Sequence, residues 1–262
     1  MGAAPGGGGL MSLAAFQQAM AHMAASPDLC RRVLDDATAA LAGYALTPLE
    51  VERLASAAGQ RGMRMNCMLY RNGRLSPLVS QLPGTFHLLG YGLRAVAEAF
   101  WAENPRVPRG VPGEMRRFAA FLRRRIDEGA LTEALLPEVL DWEMETYEIA
   151  LLPPEHTRAS VADALARARP GAPLRPHPLV GVARFSREPF AVMRALAQKR
   201  PPPFDDAAPG EYHVLVDFRG PRRAFAPLEA ETAAAFRALR AGEPLAPEAA
   251  APLVQQGLAV AA

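Results

Sequence analysis

The sequence predicts an α+β protein that is mainly α, with helices filling the first two-thirds and a short antiparallel sheet near the end. Three observations predict it. Up to about residue 152, apolar side chains recur at spacings of three and four. Between Pro153 and Pro178, six prolines interrupt any regular pattern. Beyond that stretch the apolar period falls to two over short runs. The expected organisation is a Gly-rich leader without fixed structure over 1–11, a helical domain over 12–152, a Pro-rich linker over 153–178 and a small α/β domain over 179–262.

The elements follow in chain order. Leu13, Phe16, Met20 and Met23 form one helical stripe, and Ser26-Pro27-Asp28 ends that helix and caps the next, which carries Leu29, Val33, Leu34 and Leu41. Thr47-Pro48-Leu49-Glu50 starts another, with Thr47 as N-cap, Pro48 in the first turn and Glu50 placed to close a capping box. Residues 61–104 read as a long helical stretch broken at Pro83-Gly84 and ended by Asn104-Pro105, with Pro108 and Pro112 keeping the connection extended. Helices are expected at Glu114–Ile126, Thr132–Leu151 and Ser160–Arg169. In the last segment Val180, Val182 and Phe185 suggest a strand, and Glu188–Gln198 a helix. Tyr212–Phe218 and Arg223–Ala226 read as a hairpin turned at Gly220-Pro221. Glu229–Ala241 and Ala246–Gln256 are the closing helices, with Leu258-Ala259-Val260 extended after them.

Composition limits the function. Half of the 262 residues are hydrophobic and 7% are aromatic, so the core is large and rich in small side chains. A net charge of +2 gives no global electrostatic case for nucleic acid. No apolar run is long enough to span a membrane, and the Gly-rich start lacks the basic-then-apolar order of a signal peptide, so a cytoplasmic location is expected. Cys30 and Cys67 have no metal-ligand spacing and read as buried free thiols. The five histidines form no ligand pair, and the chain has no nucleophile elbow, phosphate loop or dinucleotide fingerprint. The expectation is a chain with no catalytic residues, no metal and no cofactor.

Two neighbouring helices carry opposite charge. In Glu114–Ile126 the residues Arg116, Arg117, Arg123 and Arg124 lie largely off the apolar face. In Thr132–Leu151 Glu138, Asp141, Glu145 and Glu148 recur on one side. One reading is two solvated faces or a salt-bridged pair of helices; the other is a docking face for a charged partner.

Between Met63 and Pro153 a set of motifs occurs in a fixed order. It comprises Asn66-Cys67-Met68-Leu69-Tyr70-Arg71-Asn72, Leu75-Ser76-Pro77-Leu78, Leu82-Pro83, Phe100-Trp101-Ala102-Glu103-Asn104-Pro105, Phe118-Ala119-Ala120-Phe121-Leu122 and Leu136 to Glu143. In order and spacing the set resembles the partner subunits of multinuclear non-heme iron-dependent oxidative enzymes, a family that includes the methanobactin and bufferin accessory proteins. Asp141-Trp142-Glu143 through Tyr147 matches the family's last helix. Glu103-Asn104-Pro105 departs from the family's Ala-His-Pro-Pro, and Gly73 interrupts the first motif. The C-terminal order of strand, turn, strand and two helices resembles the winged-helix modules that bind leader peptides of ribosomally made, modified peptides. Phe16 to Gly59 is similar to the small helical domains related to the LigA-type subunit of ring-cleaving dioxygenases, read here as scaffold only.

These resemblances imply a non-catalytic accessory subunit. It would bind a precursor peptide and form a heterodimer with an iron-dependent oxidative enzyme that modifies it. Partner-facing residues would be Arg116, Arg117, Arg123, Arg124, Trp142 and Glu145. The leader would pair with the second hairpin strand at Arg222, Arg223, Ala224 and Phe225 and rest against Leu253, Val254 and Leu258. The alternative is a winged-helix transcriptional regulator, favoured by Arg187, Arg194, Lys199, Arg200, Arg219, Arg222 and Arg223. Against it, the last helix has no Lys or Arg with which to read bases or hold phosphates.

Overall fold

A computed structural model describes residues 8–104 and 110–262. Its elements are α1 (Gly8–Ala25), α2 (Pro27–Asp35), α3 (Ala37–Leu41), α4 (Pro48–Ala58), α5 (Arg61–Gln81), α6 (Pro83–Leu89), α7 (Leu93–Glu103), α8 (Val111–Asp127), α9 (Leu136–Ala150), α10 (Pro154–Arg167), β1 (Leu174–Pro176), β2 (Val180–Arg187), α11 (Pro189–Ala197), β3 (Pro209–Asp217), β4 (Ala224–Leu228), α12 (Ala230–Arg240), α13 (Pro247–Gln255) and β5 (Ala259–Ala261). The fold is α+β and mainly α, as the periodicity predicts. The chain divides into two compact units. One comprises the residues up to Ser80 together with Gly92–Phe121; the other comprises Gln81–Tyr91 and everything from Leu122.

In the first unit, sequence signals set the helix ends. Ser26 Oγ accepts from Leu29 N at 3.1 Å, and Thr47 with Glu50 closes a reciprocal capping box. Between them α1 to α4 and the start of α5 bury Ala19, Met23, Leu29, Val33, Leu41 and Leu54. Farther along, Phe100 meets Phe118 and Phe121 edge to face at 5.0 and 5.5 Å. Beside them is a buried ion pair. Arg74 Nε donates to Glu114 Oε1 at 2.7 Å, and an Arg74 Nη donates to the Asn104 carbonyl at 2.8 Å. Both side chains are about 5% exposed, so removing either would strand a charge in the interior.

The second unit is built round a three-stranded antiparallel sheet of order β2-β3-β4, with β1 and β5 forming a separate two-stranded ladder. Successive residues of β3 face opposite sides. Val216 joins Leu179 and Ile149, with Trp142 of α9 packed alongside. Leu215 joins Val180, Phe236 and Leu239 of α12 and Leu253 of α13. The sheet is therefore covered by α9 on one face and by α12 and α13 on the other. Glu143 of α9 is 5% exposed and accepts from Gly84 N at 2.7 Å and Thr85 N at 2.9 Å, which ties α6 to α9 through the first turn of α6.

Several expectations need correction. Gly8–Met11, expected in the leader, form the first turns of α1, because positions 10, 13, 16 and 20 continue its helical period; residues 1–7 lie outside the described residues. The connection at 105–108 also lies outside them, but Pro112 sits in the first turn of α8, where its missing N–H has no helical partner to lose. The helix expected from Thr132 begins at Leu136, with Pro137 in its first turn. The stretch expected to be a linker holds α10 and β1. Val161 and Ala164 of α10 pack on Val260 of β5, so folding of this segment is driven by burial against the last strand. The division between the units correspondingly does not fall in 153–178: α9 belongs with the sheet because its apolar stripe covers it.

Candidate functional site

Strand β4 is an edge. Its Val214↔Pro227, Leu215↔Ala226 and Val216↔Phe225 pairs with β3 use one side, and among the described residues no strand pairs with the other. The opposite edge, β2, is partly occupied: Ser186 N donates to Glu138 Oε2 of α9 at 3.1 Å. β4 is thus an open edge of the sheet. Pro221 precedes it and Pro227 lies inside it. Proline has no amide hydrogen, so at 227 it leaves the β3 ladder intact only with its nitrogen on the open side. Alternation along an antiparallel strand then puts the Phe225 N–H on the open side too, with the carbonyls of both residues.

The residues assigned to peptide binding separate into three groups. Arg222, Arg223 and Ala224 are exposed at the turn and the start of β4, and the Arg223 guanidinium lies 6.0 Å from the Phe225 ring centroid. Phe225 and Val254 are half-buried, Phe225 turning its ring to Trp142 at 5.6 Å. Leu253 and Leu258 have no exposed surface: they belong to the core under the sheet, and their assignment as peptide contacts is corrected. Leu253 sits on the face of α13 that the sheet needs for its own burial, and Leu258 lies just before β5 in the same core. The accessible surface next to β4 is a different one. A shallow trough of about 1010 Å³ opens where the strand ends, between α12 and α13. Ala234, Ala238 and Pro252 line it, with Glu229, Glu231 and Glu248 contributing acid. No basic residue lines it.

The residues assigned to partner docking are placed as follows. Arg123 makes two hydrogen bonds to Asp141, at 2.7 and 3.0 Å, so the salt-bridged reading holds where the last turns of α8 meet α9. Arg124 lies 3.7 Å from Glu128, the residue just past the end of its helix. Arg116 and Arg117 are exposed. Glu145 is committed inside the second unit to Arg240 of α12 at 2.5 Å. Trp142 is half-buried between Phe185 and Phe225 at 6.4 and 5.6 Å, which makes it a packing residue of the sheet rather than an outward-facing one.

Arg219, placed by sequence only in a basic cluster, is the tie at the far end of the hairpin. It donates to both carboxylate oxygens of Asp217, and to the carbonyls of Gln256 at 2.6 Å and Gly257 at 2.9 Å, where α13 ends. A cation there satisfies carbonyls left open at a helix C-terminus. Burial works to raise the Asp217 carboxyl, but the Arg219 bonds outweigh it and hold it below its ordinary value. His177, 3% exposed beside this pair, accepts from Leu179 N at its Nδ1 and is pushed down to about 4 by burial and then by Arg219. The imidazole is therefore neutral, with its proton on Nε2. His213 is likewise lowered, first by burial and then by Arg237. His213 Nε2 lies 3.6 Å from Glu211 Oε1, but among the described residues no group of three or more His, Cys, Asp or Glu side chains could hold a metal ion.

No helix among the described residues is long and apolar enough to cross a membrane. No family model matches the chain, and comparison with curated proteins finds no match.

Proposed function

We propose that the protein is a non-catalytic accessory subunit that captures an extended peptide along β4 and presents it to a partner iron-dependent oxidative enzyme. The observation that supports this best is the open edge of β4, flanked by an arginine pair at one end and by an acidic trough at the other. Adding a strand to such an edge gives affinity through main-chain bonds, and the flanking pockets set the register. Held there, the remainder of the peptide stays at high effective concentration near the partner's metal site. The resemblance of residues 63–153 to partner subunits of iron-dependent oxidative enzymes supplies the second half of the reading. The charge layout selects the ligand: acidic residues where the peptide passes Arg222 and Arg223, basic ones where it reaches Glu229, Glu231 and Glu248.

The edge can be tested at one amide. Phe225→Ala removes the ring but keeps the N–H, whereas Phe225→Pro removes both. Calorimetry with an extended peptide carrying one acidic and one basic segment should show the proline variant binding about tenfold more weakly than the alanine variant, the order of one lost hydrogen bond. Equal affinities, with both variants folded by circular dichroism, would move the docking strand elsewhere. Ala224→Pro is the less informative change, because alternation points that N–H at β3 and its loss would weaken the hairpin itself.

A further inference from the structure

The two cysteines lie 37 positions apart, on α2 and α5, yet the fold brings their thiols together at one atom. Cys30 Sγ donates to the Met23 carbonyl at 3.2 Å and Cys67 Sγ donates to the same oxygen at 3.3 Å. Both cysteines are free and about 5% exposed. That carbonyl also accepts from Ser26 N at 3.2 Å. An oxygen with two lone pairs that serves three donors saturates none of them, and the two sulfurs converge on one shared acceptor. A cavity of about 240 Å³ reaches both sulfurs; it is lined also by Met63, Ala58, Arg31 and Arg64. A pair of thiols that served only as small apolar fillers would need no such access.

We propose that Cys30 and Cys67 form a two-coordinate site for a soft monovalent cation, Cu(I) being the physiological member of that class. The ligand count selects the ion. Zinc requires four donors, and among the described residues no further His, Cys, Asp or Glu completes the set. Two sulfurs alone suit a soft d10 monovalent ion, and the Met63 thioether in the cavity wall is a third soft donor. Binding is an exchange without redox change: one Cu(I) enters, two S–Cu bonds form, two S–H bonds break and both protons leave to solvent. The product carries one net negative charge; Arg31, already paired with Asp28, and Arg64 are among the residues that line the cavity. The inference concerns the α1–α5 helices and is independent of the peptide-capture reading.

The test is an anaerobic titration of the full chain with Cu(I) against a chromophoric Cu(I) chelator. One Cu(I) per chain is expected, with X-ray absorption at the copper edge showing a shell of two sulfurs. Cys30→Ser and Cys67→Ser should each weaken retention by about 100-fold or more, since losing a ligand exceeds the loss of an outer-shell partner. Zn(II) should not be retained. The proposal is overturned if the wild-type chain competes no better than the double serine variant. If a serine variant does not fold, the wild-type absorption spectrum decides: a shell of nitrogen, oxygen or thioether donors without thiolate overturns it.

Discussion

Glu143→Ala is expected to destabilise the unit that holds the sheet by about 4 kcal/mol, from two stranded amides plus the cavity left behind. The carboxylate is enclosed, and each of its oxygens takes one N–H from the first turn of α6. Gly84 is part of the same arrangement. A Cβ there would fall 2.9 Å from Val139 Cγ1 and 3.0 Å from Glu143 Oε1, so only glycine lets the two helices approach this closely. Glu143→Gln keeps the shape but offers one acceptor where two amides converge, and should lose about 2 kcal/mol. Burial raises this carboxyl above its ordinary 4.5, against the hydrogen bonds from Thr85 and Gly84. The folded state therefore holds the proton to a higher pH than the unfolded chain does. Stability from this group declines as pH rises from 4.5 through the raised value, and Glu143→Gln removes that slope. Urea unfolding in a Trp101→Phe background isolates the Trp142 signal and measures both effects.

On acidification from pH 6.5 to about 4, His177 alone is expected to withdraw roughly 3 kcal/mol from the same unit. Its folded value is depressed, so the stabilisation is complete above 6.5. It is lost as the unfolded chain takes up a proton that the folded chain refuses. Arg219 and Arg175 oppose the imidazolium, and Asp217 favours it. His177→Gln should flatten the decline between pH 6.5 and 4, and a slope identical to wild type would remove His177 as its cause. Arg219→Ala should act in two directions. At pH 7 it loses about 2 kcal/mol with the bonds to Asp217 and to the carbonyls that close α13. Between pH 6.5 and 4 it declines less steeply than wild type, because the cation disfavouring the imidazolium is gone.

Local chemistry was legible in the sequence where it acts over a few residues. The Thr47-Pro48-Glu50 start, the Ser26 cap and the β-branched and aromatic run of β3 each specify their element without help from distant chain, and each is present. Pro83 behaves as read, opening α6. What depends on distant partners was not legible. β1 is short and gains its order from β5, far along the chain, whereas the extended run at Leu258–Val260 that overlaps β5 was readable. Leu253 and Leu258 read as peptide contacts yet lie in the core, because apolar character does not say which surface the sheet will cover. Glu143 did leave a signal: it lies three residues after Leu140 and four before Tyr147, an acid on the apolar stripe of α9. A charge in that position needs an internal partner, although nothing in the sequence names Gly84 and Thr85. The thiol pair shows the same limit, since separation along the chain concealed a shared acceptor.

The interleaving of the two units along the sequence bears on how the chain is made. Synthesis delivers α6 early, with Leu82, Phe86, Leu88 and Leu89 destined for burial. Its counterpart on α9, Glu143, emerges 59 residues after Gly84 (143 minus 84), and the sheet later still. At translation speeds of about 5–20 residues per second, α6 spends several seconds outside the ribosome with nothing of its own unit to bury it. Residues 92–121 meanwhile arrive for the other unit. A nascent chain in that state exposes an apolar helix between two segments already able to fold together, which makes it a natural client for a holding chaperone. The same interleaving means that a fragment cut at residue 153 or 179 would leave behind α9, the cover of one face of the sheet, and would begin life as an aggregation-prone half-sandwich rather than as a free-standing module.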